Sequence, residues 1–304
     1  CMYEDKPIYY DNWDIDIYYT EKSWEITELS RMEWKEEGPV CTVLELERKV
    51  SNSVIKQKIY FYADSARIDF ETYVDWKEHQ HLLKVHFPVD IHTDEAAFDV
   101  QFGNLTRKVH TNTSWDMARF ESCGQKWIDL SEGHYGVSLL NDCKYGHSVK
   151  DSVIGLTLIK SGIEPNPVTD QEEHYFTYSL YPHEGNLRDC DTVRESYCLN
   201  YPVLAKEQTQ AAGKASLLTV DKKNVMVETV KLAEDGNGMI IRAYEYENTK
   251  THAELSLGMG KEIESVCECN LMEEEIPGEI AHTDKGFDVD IKPFEIKTYR
   301  VILK

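Results

Sequence analysis

Apolar and polar side chains alternate along most of the first 185 residues, and the clearest example lies between residues 83 and 91. Leu83, Val85 and Phe87 are separated by Lys84 and His86. Because successive side chains of a β-strand point to opposite faces, this pattern predicts a half-buried strand. The same alternation predicts further strands at Ile59-Phe61, Ile68-Phe70, Phe98-Val100-Phe102, Ile154-Leu156-Leu158 and Phe176-Tyr178-Leu180.

Convincing helical periodicity is absent, so we expect antiparallel sheets and an all-β fold. The number of strands up to about residue 210 favours one large sandwich of two broad sheets. Between residues 204 and 216 the chain becomes rich in Ala and Gln and poor in β-formers, which is typical of a connector or one short helix. We therefore predict two domains, 1–212 and 213–304.

The second domain is also predicted to be a β-sandwich. Residues 234–238 read Glu-Asp-Gly-Asn-Gly, and Gly and Asn supply the positive φ angles of a tight hairpin. Alternation resumes after this turn and continues to Lys304. It provides enough strands for a small sandwich of the seven-strand type.

Charge excludes some partners. The chain has 55 acidic and 33 basic side chains, a formal net charge of −22, which repels phosphate backbones and anionic lipid. We therefore expect no nucleic acid and no membrane as partners. Apolar runs are short and the first residues do not form an export signal, so the expectation is a soluble, cytoplasmic protein.

Eight scattered cysteines also fit a reducing compartment. Cys267 and Cys269 lie two residues apart, which on a strand places both thiols on one face. Inert structural thiols are favoured over a metal or redox pair, because no second cluster accompanies them.

Three loops combine aromatic and polar groups in the way that sugar sites do, with ring faces for apolar sugar faces and carboxylates or amides for hydroxyls. The first loop contains Trp13 and Asp14, although an edge strand with an acidic outer side is an equally simple interpretation. The second spans residues 112–129, where the tryptophans alternatively anchor a core. The third follows a strand and reads Asn141, Asp142, Cys143, Lys144, Tyr145, Gly146, which is also an ordinary polar turn.

Taken in order, several segments of the chain resemble the C-terminal half of family 38 α-mannosidases, particularly the cytosolic and bacterial type. The segments are Tyr3-Glu4-Asp5-Lys6-Pro7, Trp13-Asp14-Ile15-Asp16, Arg67-Ile68-Asp69-Phe70, Val74-Asp75-Trp76, Leu82-Leu83-Lys84-Val85, Phe87-Pro88-Val89, Asn112-Thr113-Ser114-Trp115-Asp116, Asp129-Leu130-Ser131-Glu132, Leu139-Leu140-Asn141-Asp142-Cys143-Lys144-Tyr145-Gly146, and Phe176-Thr177-Tyr178 before Tyr181-Pro182-His183. The resemblance covers residues 3 to about 185 and continues more loosely to the end.

This resemblance implies a galactose-mutarotase-like super-sandwich followed by a small immunoglobulin-like β-sandwich. It implies a retaining, zinc-dependent hydrolysis of α-linked mannose, in which two carboxyl groups lie about 5 Å apart across the scissile bond. In the family, the nucleophile, the acid/base and the zinc ligands belong to the N-terminal part. We therefore expect no catalytic residue, metal ligand or cofactor in this chain, zinc in the full-length enzyme, and an inactive fragment.

The resemblance also implies that a loop of the large sandwich reaches the sugar. By strand order this loop is 141–146, so Asp142, Lys144 and Tyr145 are the first candidates for substrate contacts, together with Asn141. Trp13 and Asp14 are the second. Lys144 stands where some relatives have arginine, and a compact ammonium cannot replace a bidentate guanidinium.

The expected partners are α-mannosides and the N-terminal catalytic domain of the same polypeptide. A sandwich cut from that domain exposes apolar surface and can form a homo-oligomer. A free-standing carbohydrate-binding module is one alternative, and it needs an exposed aromatic platform. A mutarotase-like epimerase is another, with Glu121 and either His134 or His147 as conceivable acid and base. Histidines 79, 81, 86 and 92 are predicted to be surface residues, because no spacing joins three of them on one ion.

Overall fold

The computed structural model describes residues 1–207, 213–258 and 260–304. The chain divides into two compact units, one made of residues 1–100 and 105–203 and the other of residues 101–104 and 204–304. Each unit contains its own buried apolar cluster.

Within residues 1–203, which the structure describes throughout, the strands form two antiparallel sheets. The strands are β1 (Met2–Glu4), β2 (Ser23–Trp24), β3 (Arg31–Glu37), β4 (Cys41–Val50), β5 (Ser53–Tyr62), β6 (Ile68–Asp75), β7 (His81–Pro88), β8 (Glu95–Val100), β9 (Gly103–Lys108), β10 (Ser122–Cys123), β11 (Trp127–Ser131), β12 (Tyr135–Asn141), β13 (Gly146–Lys150), β14 (Val153–Ser161) and β15 (Glu173–Glu184). The six-stranded sheet has the order β10-β13-β14-β7-β1-β2, and the nine-stranded sheet has the order β3-β4-β5-β6-β15-β12-β11-β8-β9.

The two sheets bury their facing side chains against each other. Leu83 and Leu156 of the six-stranded sheet share one apolar cluster with Val74, Leu139 and Phe176 of the nine-stranded sheet. In strands such as β5, alternate residues are buried, which is the pattern that the sequence predicts. The expected all-β fold is confirmed.

The second unit has seven strands among its described residues. They are β16 (Leu218–Val220), β17 (Val225–Leu232), β18 (Met239–Glu245), β19 (Thr251–Leu257), β20 (Ile263–Cys269), β21 (Gly286–Ile291) and β22 (Ile296–Leu303). They form a sheet of order β16-β19-β21 and a sheet of order β17-β18-β22-β20. The predicted hairpin is present, since β17 pairs with β18 around a turn in which Gly236 and Gly238 have φ angles of 75° and 92°.

In the described residues the strands are interrupted by two short α-helices, α1 (Ser114–Met117) and α2 (Thr192–Asn200), and by one turn of 3-10 helix at Ile17–Glu21. The sequence pattern did not predict α2, because the residues that it buries are Thr192, Val193 and Ser196 and therefore form no apolar stripe. Hydroxyl hydrogen bonds anchor this face, including one of 2.6 Å between Thr192 and Ser138. No helix in the described ranges is both long and apolar enough to cross a membrane.

The predicted domain boundary lies at residues 212 and 213, within a segment predicted to be a connector or one short helix. Residues 208–212 lie outside the described residues. On either side, residues 204–207 and 213–216 have no regular secondary structure. The boundary itself stays a prediction.

Candidate functional site

The loop between β12 and β13 is held in place by Asn141. This side chain is 1% exposed. Its Nδ2 donates to the carbonyl of Gln125 at 2.7 Å, and its Oδ1 accepts from the amide of Lys144 at 2.6 Å. Asn141, predicted as a substrate contact, therefore lies beneath the loop and fixes its shape.

Asp142 ties the same loop to the neighbouring strand β15. Its amide donates to the carbonyl of Thr177 at 3.1 Å, and its Oδ2 accepts from the amide of Thr177 at 2.8 Å. Its Oδ1 is buried without a hydrogen-bond partner among the described residues. Burial and the adjacent Asp142 carboxylate raise the pKa of the Cys143 thiol to about 12.

The outer part of the loop carries Lys144 and Tyr145. Lys144 Nζ lies 4.5 Å from the ring centroid of Phe176, which is a cation–π contact, and forms no salt bridge with any described residue. The Tyr145 side chain is 54% exposed. Tyr145 is therefore open to solvent at the outer edge of the loop, whereas Lys144 is partly buried.

The opening loop presents the second pair of candidates. Trp13 is 73% exposed, and its ring centroid lies 5.4 Å from that of Tyr10. Asp14 is exposed and accepts only a local bond of 3.1 Å from the amide of Ile15 within the described residues. The rings of Tyr9 and Tyr18 are exposed as well. Residues 9–16 form turns and irregular chain and no strand, so the edge-strand interpretation, which composition alone slightly favoured, is wrong.

Buried polar groups keep the opening loop in place, and sequence reasoning did not single them out. Asp11 is 4% exposed, and its Oδ1 accepts from the amides of Ile163 and Glu164 at 2.9 and 2.7 Å. Lys160 contacts both the Asp5 carboxylate and the Asp11 carbonyl. Burial raises the pKa of Asp5, and the Lys160 ammonium opposes that shift. The only sequence signal was the density of carboxylates in residues 4–16.

The proposed epimerase residues have other roles. Glu121 contacts the buried ammonium of Lys84 and accepts a bond of 2.6 Å from the hydroxyl of Tyr19. His147 is fully buried, and burial lowers its pKa to about 3. His134 is exposed beside Glu132. An acid and a base for epimerisation need solvent-accessible positions in one pocket, and these residues do not provide them.

Two of histidines 79, 81, 86 and 92 form hydrogen bonds with side chains of distant segments. His86 bonds to the Tyr3 hydroxyl at 2.9 Å and is partly buried, and burial lowers its pKa to about 4. His79 bonds to Gln171 at 2.7 Å. Within residues 1–207, 213–258 and 260–304, no group of three or more His, Cys, Asp or Glu side chains could hold a metal ion.

Two family models match the chain in order. Residues 1–168 match the glycosyl hydrolases family 38 C-terminal domain, and residues 224–299 match the family 38 C-terminal beta sandwich domain. The chain belongs to glycosyl hydrolase family 38. The resemblance of the sequence motifs is thereby confirmed.

Curated relatives of this family 38 chain are longer proteins. Alpha-mannosidase G of Dictyostelium discoideum is 36% identical, with 99% of this chain and 28% of the relative covered. Alpha-mannosidase 2C1 of Homo sapiens is 32% identical, with 100% of this chain and 30% of the relative covered. The chain therefore spans less than a third of the length of these relatives.

A solved structure also shares the fold. The crystal structure of an alpha-mannosidase from Enterococcus faecalis V583 superposes with a TM-score of 0.75 at 19% identity, over 90% of this chain and 35% of that chain. At this identity the similarity shows the fold alone.

Proposed function

We propose that this chain is the C-terminal accessory portion of a retaining, zinc-dependent α-mannosidase, and that the nucleophile and the zinc ligands lie in another part of the polypeptide. The observation that carries the proposal is the pair of family 38 C-terminal matches, at residues 1–168 and 224–299. The names of the relatives supply the substrate class, α-linked mannose. Release of mannose from oligosaccharides is the proposed overall reaction.

In this proposal the chain has two tasks. It supports the catalytic domain, and it supplies one wall of the substrate site through the loop 141–146 and the opening loop. The exposed Tyr145 phenol and the Trp13 indole are suitable for a hydroxyl and a sugar face, respectively. Asn141 and Asp142 hold the first loop, and Lys144 adds a donor beside Tyr145.

A cytoplasmic location belongs to the same proposal. All eight cysteines are free, and Cys123 and Cys198 are exposed to solvent. Exposed free thiols persist in a reducing compartment and oxidise outside it.

The test is hydrolysis of a chromogenic aryl α-mannoside. The chain alone, with zinc or cobalt added, is expected to be inactive. Mixing it with the separately produced N-terminal portion is expected to restore turnover above that of the N-terminal portion alone. The control is the same mixture with heat-denatured chain. Turnover by the chain alone would overturn the assignment of the nucleophile to another part of the polypeptide.

A further inference from the structure

An open groove of about 630 Å³ lies on the nine-stranded sheet, over β4, β5, β6 and β15. This volume is within the usual range of ligand sites. Two rows of side chains cross the strands there, and directly paired residues form each row. The first row is Glu47, Lys56, Tyr73 and Tyr175, and the second row is Glu45, Lys58, Glu71 and Thr177.

Tyr73 and Tyr175 form an aromatic platform in the first row. Their ring centroids are 5.0 Å apart, with planes inclined by 49°, and Tyr175 is 71% exposed. One carboxylate fixes both rings, because the hydroxyls of Tyr73 and Tyr175 donate to Glu173 at 3.0 and 3.1 Å. The platform is therefore oriented before any ligand arrives, which reduces the entropy cost of binding.

Hydrogen-bonding groups of both signs border the platform. Lys56 Nζ lies 5.8 Å from the ring centroid of Tyr73 and forms no salt bridge with any described residue, so its donors are available. Lys58 Nζ lies 3.6 Å from Glu71 Oε1. The groove is lined by three cationic side chains (Arg31, Lys56 and Lys58) and four carboxylates (Glu45, Glu47, Glu71 and Asp142). The charges of the lining therefore nearly balance.

The second row leads directly to the loop of the proposed substrate wall. Thr177, the last strand residue of that row, exchanges two hydrogen bonds with Asp142. Asp142 is itself part of the groove lining. The groove and the loop 141–146 therefore form one continuous surface.

We propose that this groove is a second saccharide-binding site, which holds sugar units of a mannose-containing oligosaccharide away from the unit at the loop. A balanced set of donors and acceptors beside a fixed aromatic platform fits a neutral polyhydroxyl compound better than an anion or a cation. The choice of mannose-containing sugars rests on the proposed function. The groove itself is assigned from its own geometry.

The first experiment titrates the chain with a mannose trisaccharide and, separately, with mannose, by isothermal calorimetry. Trisaccharide binding in the millimolar range is expected. Tyr175→Ala should weaken it about five- to tenfold, since an aromatic contact contributes about 1 kcal/mol. Tyr201→Ala is the matched control, because Tyr201 is 63% exposed and lies outside the groove. Trisaccharide binding that Tyr175→Ala leaves unchanged, or no binding at all, would overturn the proposal.

The second experiment uses the reconstituted enzyme. Tyr175→Ala should raise KM for the trisaccharide several-fold and leave kcat/KM for an aryl mannoside unchanged. Loss of assembly in this variant would instead mean that another part of the polypeptide covers the groove, which contradicts the proposal. If the wild-type chain and the wild-type N-terminal portion restore no turnover when mixed, the proposed function fails. The calorimetric titration still shows whether the groove binds the trisaccharide.

Discussion

His183 and Asp129 form a buried charge pair, with Nε2 of the histidine 2.8 Å from Oδ2 of the aspartate. Both side chains are nearly inaccessible, and Ser138 donates to the same Oδ2 at 2.7 Å while contacting Thr192 of α2. Ser138 therefore links the pair to α2.

Stability is expected to fall between pH 6.5 and about pH 10 because of this pair. Burial is the largest single influence and lowers the pKa of His183, but the hydrogen bonds and charges of Asp129 and Cys190 together outweigh it and raise that pKa to about 10. A raised folded-state pKa contributes stability that is complete below the unfolded value of 6.5 and is lost as pH approaches 10. Urea unfolding at pH 6, 8 and 9.5 measures the decline.

Asp129→Asn should lower the free energy of unfolding by about 3 kcal/mol at pH 6, because it removes one member of a buried charge pair. It should also flatten the pH dependence. An equally steep decline in this variant would assign the pH dependence to other groups.

Lys84→Met is expected to destabilise the first unit by about 3 kcal/mol. The Lys84 side chain is completely buried, and its Nζ contacts Glu121 and lies 3.0 Å from Thr157 Oγ1. Removing the ammonium leaves the Glu121 carboxylate without its cation. The double variant Lys84→Met/Glu121→Gln should recover part of the loss, and denaturant unfolding of all four proteins forms a double-mutant cycle. Additive losses would mean that the two side chains do not interact.

Asn141→Ala should affect stability, whereas Tyr145→Phe should affect activity alone. Asn141→Ala removes two hydrogen bonds beneath the loop and should cost about 2 kcal/mol of stability. Tyr145→Phe removes only an exposed hydroxyl, so the melting temperature should not change, but aryl mannoside turnover in the reconstituted enzyme should fall about tenfold. Unchanged turnover of Tyr145→Phe would remove Tyr145 from the proposed substrate wall.

Alkylation of Cys143 should be slow at pH 8, although part of the residue reaches solvent. Partial burial of the thiol and the neighbouring Asp142 carboxylate raise the pKa of Cys143 to about 12, so little reactive thiolate is present. Iodoacetamide labelling read by peptide mass spectrometry measures the rate, which should rise steadily from pH 8 to pH 10. Asp142→Asn should speed labelling of Cys143 and leave that of the exposed Cys198 unchanged. Equal Cys143 rates in both proteins would remove Asp142 as a cause.

Local pattern alone predicted much of the fold. The alternation at Leu83, Val85 and Phe87 lies in β7, and the Gly-Asn-Gly turn joins β17 to β18. These predictions depend on the two-residue period of a strand and on the φ freedom of glycine. Both are local properties that can be recognised from residues adjacent in the sequence. The motif resemblance also identified the family.

The tertiary structure decided which polar residues are buried. Lys84 lies on the polar side of β7, where the alternation predicts solvent, yet Tyr19 and Glu121 from distant segments cover it. The sequence likewise predicts that the Asn141 amide binds a substrate hydroxyl. In the structure this amide forms hydrogen bonds with the backbone of Gln125 and Lys144. Burial of this kind depends on segments that are far apart in the chain.

The groove is the clearest case of what the sequence could not decide. Glu47, Lys56, Tyr73 and Tyr175 are scattered over some 130 positions, and none of them carries a motif. They form one row only because β4, β5, β6 and β15 pair in a particular register. A shift of one residue in any pairing would turn these side chains to the opposite face. The sequence determines that each residue is on a strand, whereas long-range hydrogen bonding and burial of the opposite face determine their alignment.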